Sequence, residues 1–380
     1  MERLKCLDGL RGVLAVYVML SHMAPFALFP PWLASALSHG GAAVDVFFIL
    51  SGLVIARSLE RFGYRARPFL VARVARIFPV FLAMFAVAVA VQPLSAGFER
   101  MPWIGADSPA FSIWSQGWPS GWAAEIAAHL TMTHGLFPDA VLPDAWVSFL
   151  GAAWSLSTEW QFYVLALLLG RRAWFVLLGL AVAGVVWGAV TPEAWHFSRA
   201  FLPNKAGYFV LGMMSAGLVG VPHPSSSGLT RGPPQPPAVP MAVLGSSPKM
   251  TFFWVMTAVL ALGWWQGGFG KLVPPLVWAV CLGAEFRDGW LSALLRSRPA
   301  QWLGGLSYSL YLANEPAQKL LGVGLSALTN GDGWWFTVFW VPGAAGLPVL
   351  VAMALRRWVE LPALAWGRRG VYTREHENSG

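Results

Sequence analysis

Residues 7–26 read LDGLRGVLAVYVMLSHMAPF, a stretch of twenty residues in which almost every side chain is apolar. A helix of that length measures about 30 Å, which is the thickness of the hydrocarbon core of a bilayer. Three ionisable side chains nevertheless lie within it, namely Asp8, Arg11 and His22. Such groups are rare in membrane helices unless they have a function. The stretch therefore predicts a membrane helix that carries part of a functional site.

The whole chain has the composition of a membrane protein. Of its 380 residues, 56% are hydrophobic and 12% are charged, and the charged fraction is about half of that in soluble domains. The chain also has 22 tryptophans, which collect at membrane–water boundaries. We predict an all-α integral membrane protein with about ten transmembrane helices. The predicted spans are 7–26, 41–59, 74–92, 147–169, 173–190, 204–220, 251–267, 272–286, 302–325 and 335–355.

The basic residues divide unequally between the two sides predicted for these helices. If the N-terminus is cytoplasmic and the spans alternate, the outside segments contain only Arg100, Arg199, Lys205 and Lys271. Such a bias follows the positive-inside rule, so both termini are predicted to be cytoplasmic. The net charge of +8 does not indicate nucleic-acid binding, because the basic residues form short clusters between apolar segments.

The chain is predicted to form a single transmembrane domain over residues 1–370, followed by a cytoplasmic tail over 371–380. Two of its connections are long. Residues 93–146 form a tryptophan-rich outside segment, which is either a cap that binds an acceptor or an aromatic shelf at the membrane interface. Residues 221–249 contain runs of serine and proline and predict a disordered cytoplasmic linker.

Arg11 and His22 are eleven residues apart, which is about 16 Å along a helix and nearly a whole number of turns. Both side chains therefore lie on one face of the first helix. Asp45 opens the second span on the side where the first span ends. We expect this carboxylate to lie beside His22 and to fix its tautomer. The alternative is that Asp45 only anchors its own helix end.

Glu159 is another candidate, because an unpaired carboxylate within the bilayer is costly. A structural ion pair with Arg11 or Arg73 is the alternative. Arg73 and Arg76 are three residues apart at a predicted helix start close to Arg57, and such guanidinium groups suit a polyphosphate. The same three arginines also fit a purely topological role.

Five segments resemble, in order, motifs of the membrane-bound acyltransferase 3 family. The first is Arg11 followed by His22 after ten intervening residues. The others are VDVFFILSG at 44–52, RVARIFP at 73–79, WSLSTEWQFY at 154–163 and LGGLSYSLYL at 303–312. Each match is weak alone, whereas five in the correct order are specific.

The resemblance implies a ten-helix enzyme of the bacterial inner membrane. It implies transfer of an acyl group, usually acetyl, from cytoplasmic acyl-CoA to a hydroxyl of a glycan, a glycolipid or a secondary metabolite. Neither a metal nor a tightly bound cofactor is expected. The implied catalytic residues are His22, Asp45, Glu159 and Arg11, and the implied donor-binding residues are Arg73, Arg76 and Arg57. The residues expected to contact substrate are Trp154, Ser155, Tyr308 and Tyr311.

One position departs from the family pattern. Members commonly have a histidine soon after the Tyr-Leu pair of the last motif, and Asn314 occupies this place. An amide cannot take up a proton as an imidazole can. Either this histidine is not essential in the subgroup or the activity of the protein is weakened, and the other intact motifs favour the first explanation.

Two other histidines lie close together in the sequence. His129 and His134 are five residues apart, so they are not expected to share a face or to form a metal motif.

A proton-coupled transporter would also carry intramembrane His, Asp and Glu. However, the chain lacks the paired interrupted segments that indicate inverted repeats. A purely structural protein leaves the intramembrane charges unexplained.

Overall fold

The computed structural model describes residues 4–219 except 102 and 105–107, and residues 253–372 except 255, 261–262 and 264–268. The predicted linker at 221–249 and residues 373–380 of the predicted tail lie outside the described residues.

The described residues form an all-helical bundle without β-strands, in which one isolated bridge joins Pro138 to Phe197. The helices of the first half are α1 Lys5–Met23, α2 Pro31–Leu37, α3 Gly40–Arg61, α4 Ala66–Val91, α5 Pro109–Ser115, α6 Trp122–Leu130, α7 Trp154–Leu169, α8 Ala173–Val190 and α9 Ala206–Val219. Those of the second half are α10 Phe269–Phe286, α11 Trp290–Arg296, α12 Arg298–Leu328, α13 Gly333–Leu355 and α14 Leu361–Tyr372.

Several helices have the length and composition of membrane spans. Within the described residues, five stretches meet both criteria: Lys5–Phe26, Pro31–Arg61, Ala66–Ser95, Gly151–Val190 and Gly333–Arg369. Gly170, with φ +54°, divides the fourth stretch into α7 and α8. Described helices occupy nine of the ten predicted spans, and the span at 251–267 lies mostly outside the described residues. How many helices cross the membrane stays a prediction.

Helices α1 and α12 pack with their backbones in close contact. A Cβ atom at Gly12 would lie 2.5 Å from the backbone nitrogen of Gly304. Small residues permit such an approach between membrane helices. This packing brings His22 on α1 into contact with the polar side chain of Asn314 on α12.

The segment predicted as a long loop at 93–146 is folded and contains α5, α6 and a 3₁₀ helix over Gln92–Arg100. Trp114 is buried and stacks on Phe26, in the 3₁₀ turn that follows α1, with 4.4 Å between the ring centroids. Trp118 and Trp122 are instead about half exposed, at 45% and 48%. The aromatic residues of the segment are thus divided between its core and its surface.

A π-helical turn over Arg356–Glu360 joins α13 to α14. Such turns are rare and often occur at functional sites. This one places Glu360 in the interior, where it is buried.

Candidate functional site

A cavity of about 560 Å³ lies inside the bundle, between α1, α3, α4, α7, α12, α14 and the π-helical turn. Seven residues predicted for the site line it: Arg11, Arg73, Arg76, Ser155, Glu159, Tyr308 and Tyr311. The other predicted residues, His22, Asp45, Arg57 and Trp154, are not among its lining residues.

Positive charge predominates along the cavity. Its carboxylates are Asp8, Glu159 and Glu360. Its six arginines are Arg11, Arg61, Arg73, Arg76, Arg356 and Arg368, and we call this part of the bundle the arginine end. An excess of guanidinium groups around a cavity favours the binding of an anion, because each group donates charge-assisted hydrogen bonds.

Arg76 and Glu360 form an ion pair at the arginine end. The other carboxylate oxygen of Glu360 accepts a hydrogen bond from Ser309 Oγ at 2.6 Å. The guanidinium of Arg76 also lies over the ring of Tyr308, 5.1 Å from its centroid. Glu360 thus neutralises one of the arginines and orients it.

Arg73 has weaker contacts than Arg76. Its Nη2 lies 3.4 Å from Ser58 Oγ, and its guanidinium lies 6.0 Å from the ring centroid of Tyr163. Its buried Nε has no hydrogen-bond partner among the described residues. An unpartnered buried donor is costly, so the guanidinium of Arg73 retains hydrogen-bonding capacity that its described neighbours do not use.

Glu159 lies at the cavity wall and accepts a hydrogen bond from Ser51 Oγ of α3. It interacts electrostatically with Arg11, Arg73 and Arg76. The carboxylate is thus both close to arginines and part of the cavity lining, and its catalytic role stays a prediction.

Ser155 of α7 and Tyr311 of α12 line the other end of the cavity. A hydrogen bond joins them, with 2.9 Å between the hydroxyl oxygens. One turn further along α12, Glu315 accepts hydrogen bonds from the backbone N–H groups of Gly151 and Ala152, at 3.1 and 2.7 Å. These contacts hold the first turn of α7 against α12.

His22 lies beyond this layer and contacts α12 directly. Its Nδ1 is 2.6 Å from Oδ1 of Asn314. Asn314 is completely buried, whereas His22 is only partly buried. The residue that departs from the family pattern is thus the hydrogen-bond partner of the predicted base.

The expected contact between Asp45 and His22 is not formed. Asp45 instead pairs with Lys205, with 2.6 Å between Oδ1 and Nζ, and both side chains are 7% exposed. Lys205 precedes α9, which packs along α3, and it therefore reaches Asp45 from that side. We call the region of His22, Asn314, Asp45 and Lys205 the histidine end.

Trp154 contributes to the histidine end through its ring. The ammonium of Lys205 and the guanidinium of Arg199 lie 5.6 and 5.9 Å from its centroid. Arg199 is exposed and also lies over Trp146, at 5.1 Å. Contact of Trp154 with a substrate stays a prediction. Arg57 is buried and is not among the residues that line the cavity, although its neighbour Ser58 contacts Arg73.

The structure brings together His129 and His134, which were not expected to meet. Their rings stack with 4.0 Å between centroids, and both are fully buried. Burial lowers the pKa of His129 to about 4 and lowers that of His134 well below its usual value. His134 Nε2 lies 3.2 Å from the carbonyl oxygen of Ala153, just before α7. Among the described residues, no His, Cys, Asp and Glu side chains form a group suited to a metal.

Sequence reasoning missed Glu360 and Lys205. Each lies at the edge of an apolar stretch, where a charged residue is normally interfacial. Glu360 follows the basic pair Arg356 and Arg357. In a positive-inside pattern a single acidic residue beside two arginines does not stand out. Only the π-helical turn and the packing of α9 bring these residues to buried partners.

The fold and the site define a helical membrane protein with a positively charged internal cavity. A profile of the acyltransferase domain matches residues 4–357, and the chain therefore belongs to this acyltransferase family, as the five motifs indicated. It is 29% identical over 211 residues to the acyltransferase MdmB of Streptomyces mycarofaciens, covering 50% of this chain and 47% of that protein. It is 37% identical over 93 residues to protein 2 in the picA locus of Rhizobium radiobacter, covering 23% of this chain and 46% of that protein. The chain thus spans about half the length of these curated relatives. No solved structure matches it.

Proposed function

We propose that the protein transfers an acyl group, with acetyl as the first candidate, from acyl-CoA to a hydroxyl, and that His22 is the general base. One observation carries this proposal. Along α12, Tyr308 borders the arginine end, Tyr311 binds Ser155, and Asn314 binds His22. Residues three apart are neighbours on a helix surface, so this series leads step by step from a cavity suited to an anion to an imidazole suited to proton transfer.

The arginine end suits the phosphates of coenzyme A. Arg76 is already neutralised by Glu360, whereas Arg73 retains a buried donor without a partner in the described chain. Arg11 lies at the same cavity and interacts with Glu159. Arg73 and Arg11 are therefore the residues that we assign to the donor, and Glu159 orients Arg11.

The geometry fits a donor whose reactive group is remote from its charge. Arg11 and His22 are separated by about 16 Å along α1. Tyr311, at the inner end of the cavity, precedes Asn314 by three residues, or about 4.5 Å along α12. A thioester on a pantetheine arm would thus reach the Ser155–Tyr311 layer while its phosphates stay at the arginine end.

The reaction needs only a base and the thioester. The acceptor oxygen attacks the thioester carbonyl carbon, a C–O bond forms, and the imidazole takes the hydroxyl proton. The tetrahedral intermediate then expels the CoA thiolate as the C–S bond breaks. The thiolate takes the proton from the imidazolium, and His22 returns to its neutral form.

The acceptor would approach from the histidine end, because His22 is partly exposed but does not line the cavity. A glycan, a lipid-linked glycan or a small metabolite are the classes that we propose. A panel of sugars and acyl-CoAs tested with the purified protein would identify the pair.

The proposed topology has ten spans, with both termini and the arginine end in the cytoplasm of a bacterial inner membrane. Support comes from the unequal distribution of basic residues and from the six arginines at the cavity. In this orientation cytoplasmic acyl-CoA enters the cavity directly.

The test uses membranes that contain the wild-type protein or a variant, incubated with radiolabelled acetyl-CoA. We expect His22→Ala to abolish label transfer, since a general base contributes about 10²–10⁴-fold. His39→Ala is the matched control, because His39 is exposed at the start of α3, and we expect it to retain full activity. Full activity of correctly inserted His22→Ala would rule out the catalytic assignment. Transfer from another activated acyl compound, but not from acetyl-CoA, would overturn the donor assignment alone.

A further inference from the structure

The partner of His22 has only one orientation that satisfies its own hydrogen bonds. Nδ2 of Asn314 lies 2.5 Å from the carbonyl oxygen of Tyr311 and 3.3 Å from that of Leu310. An amide nitrogen donates and carbonyl oxygens only accept. The reverse orientation would place the amide oxygen against two acceptors inside a fully buried site. The amide oxygen must therefore face His22.

The orientation of this amide determines which nitrogen of His22 carries a proton. Oδ1 of Asn314 is an acceptor, so the Nδ1 atom 2.6 Å away must donate. A neutral imidazole has one N–H group and one lone pair, which leaves the lone pair on Nε2. We propose that Asn314 is a positioning residue that holds neutral His22 as the Nδ1–H tautomer, with Nε2 as its basic atom. This inference rests on the proposed role of His22.

The same geometry explains why an amide can occupy this position. The site requires one acceptor toward His22 and one donor toward the α12 carbonyls, and it does not require a residue that changes its protonation state. Asparagine supplies both, and so does a neutral histidine. The departure at Asn314 therefore keeps the hydrogen-bonding capacity and removes only the ability to take up a proton.

Gln318 provides an internal control for this assignment. It lies four residues after Asn314 on the same face of α12 and is also fully buried. Its Nε2 donates to the carbonyl oxygens of Met19 on α1 and Ala344 on α13, at 3.1 and 3.0 Å. Gln318 thus ties α12 to the same helix as Asn314 does, but through the backbone and without touching an imidazole.

The first measurement is the tautomer itself. The full-length protein, labelled with ¹⁵N-histidine and reconstituted in lipid, is examined by solid-state NMR near neutral pH. His22→Gln identifies the signals of His22 by difference. We expect a protonated Nδ1 and an unprotonated Nε2 in the wild-type protein, a mixture of both tautomers in Asn314→Leu, and no change in Gln318→Leu. A wild-type His22 with its proton on Nε2 would overturn the inference, even if Asn314→Leu does not fold.

The second measurement is acyl transfer by the same variants. We expect Asn314→Leu to lower kcat by roughly 10–100-fold, with the KM for the acyl donor unchanged, because only part of the general-base contribution is lost. Asn314→His should restore most of the activity. Gln318→Leu should lower thermal stability and leave kcat per folded protein within about 2-fold. Equal losses of kcat in Asn314→Leu and Gln318→Leu, or no recovery in Asn314→His, would show a merely structural role. If His22→Ala is active but the tautomer is as expected, the proposed function fails and the assigned hydrogen bond stands.

Discussion

The arginine end and the histidine end of the bundle place charged residues in different environments. At the arginine end, six arginines and three carboxylates surround a cavity, and Arg73 keeps a buried donor without a partner in the described chain. At the histidine end, Asp45 and Lys205 neutralise each other, and the amide of Asn314 makes all of its contacts within the bundle. The first arrangement suits recognition of a charged ligand, whereas the second holds one imidazole in a fixed position.

Helix α12 connects the two ends. Tyr308, Tyr311 and Asn314 follow one another at three-residue intervals and contact α4, α7 and α1 in turn. A substitution at the arginine end should therefore act on donor binding, and one at the histidine end on the rate of transfer or on stability. The predictions below use this separation.

The largest effect is expected for the ion pair between Asp45 and Lys205. Removing one partner of a buried pair leaves an uncompensated charge, which costs about 3–5 kcal/mol. We expect Asp45→Leu and Lys205→Met each to lower the yield of folded protein strongly, and the double variant to recover most of it. Thermal unfolding of the purified proteins, followed by tryptophan fluorescence, measures this cycle.

The cycle also separates a structural role of Asp45 from the catalytic role that its position predicted. A folded double variant that retains acyl transfer would make Asp45 a structural residue. Recovery of folding without any activity would support a catalytic role of Asp45. A loss in the double variant equal to the sum of the two single losses would contradict the pairing.

A smaller loss is expected for the pair between Arg76 and Glu360. Arg76 is 25% exposed, so water partly replaces its partner, and we expect Glu360→Gln to cost about 2 kcal/mol. The KM for the acyl donor should not rise, because the substitution removes the carboxylate that neutralises Arg76 and leaves every arginine of the cavity in place. Thermal unfolding and donor saturation curves of the same variant measure both quantities. A large rise in KM with unchanged stability would show that Arg76 binds the donor after all.

The arginine end was the more predictable of the two. Arg11, Arg73, Arg76 and Glu159 came from the cost of placing charge in a membrane and from ordered motifs, and the structure brings all four to one cavity. The helix positions could be predicted from hydropathy, because the cost of charge in a membrane keeps the spans apolar. The arginine cluster did not reveal that Arg57 lies outside the cavity lining, because the rotation of α3 against its neighbours is set by packing rather than by charge.

The histidine end could be predicted only in part. The position of His22 on α1 follows from spacing, but its partner depends on which helix packs against that face. Asp45 was expected to contact His22 because both residues are predicted at a similar depth in the membrane. The close approach of α1 to α12 at Gly12 and Gly304 makes Asn314 the partner of His22 instead. The stacking of His129 on His134 depends on the turn between them, which helical periodicity does not describe.

Donor binding should respond to Arg73 and not to Arg57. We expect Arg73→Gln to raise the KM for acetyl-CoA about 10-fold, because a charge-assisted hydrogen bond contributes about 1.5–3 kcal/mol. Arg57→Gln is the matched control, since Arg57 is a buried arginine near the C-terminal end of α3 that does not line the cavity. Initial rates at varied acetyl-CoA concentration measure both. Equal KM values for the two variants would contradict the assignment of the donor to the arginine end.

The smallest effect is expected from the histidine pair that supports the first turn of α7. Burial keeps His129 and His134 neutral, and the pKa of His129 falls from about 6.5 to about 4 in the folded protein. As the pH falls below 6.5, the unfolded chain binds protons that the folded protein excludes, so stability is lost progressively down to about pH 4. Between pH 7 and pH 6 this amounts to less than about 1 kcal/mol from His129. We expect the Tm to fall by a few degrees in this interval. His129→Phe should be less stable at pH 7 but lose less between pH 7 and pH 6, since phenylalanine keeps the stack on Phe85 and binds no proton. An equal fall in both proteins would assign the pH dependence to other groups.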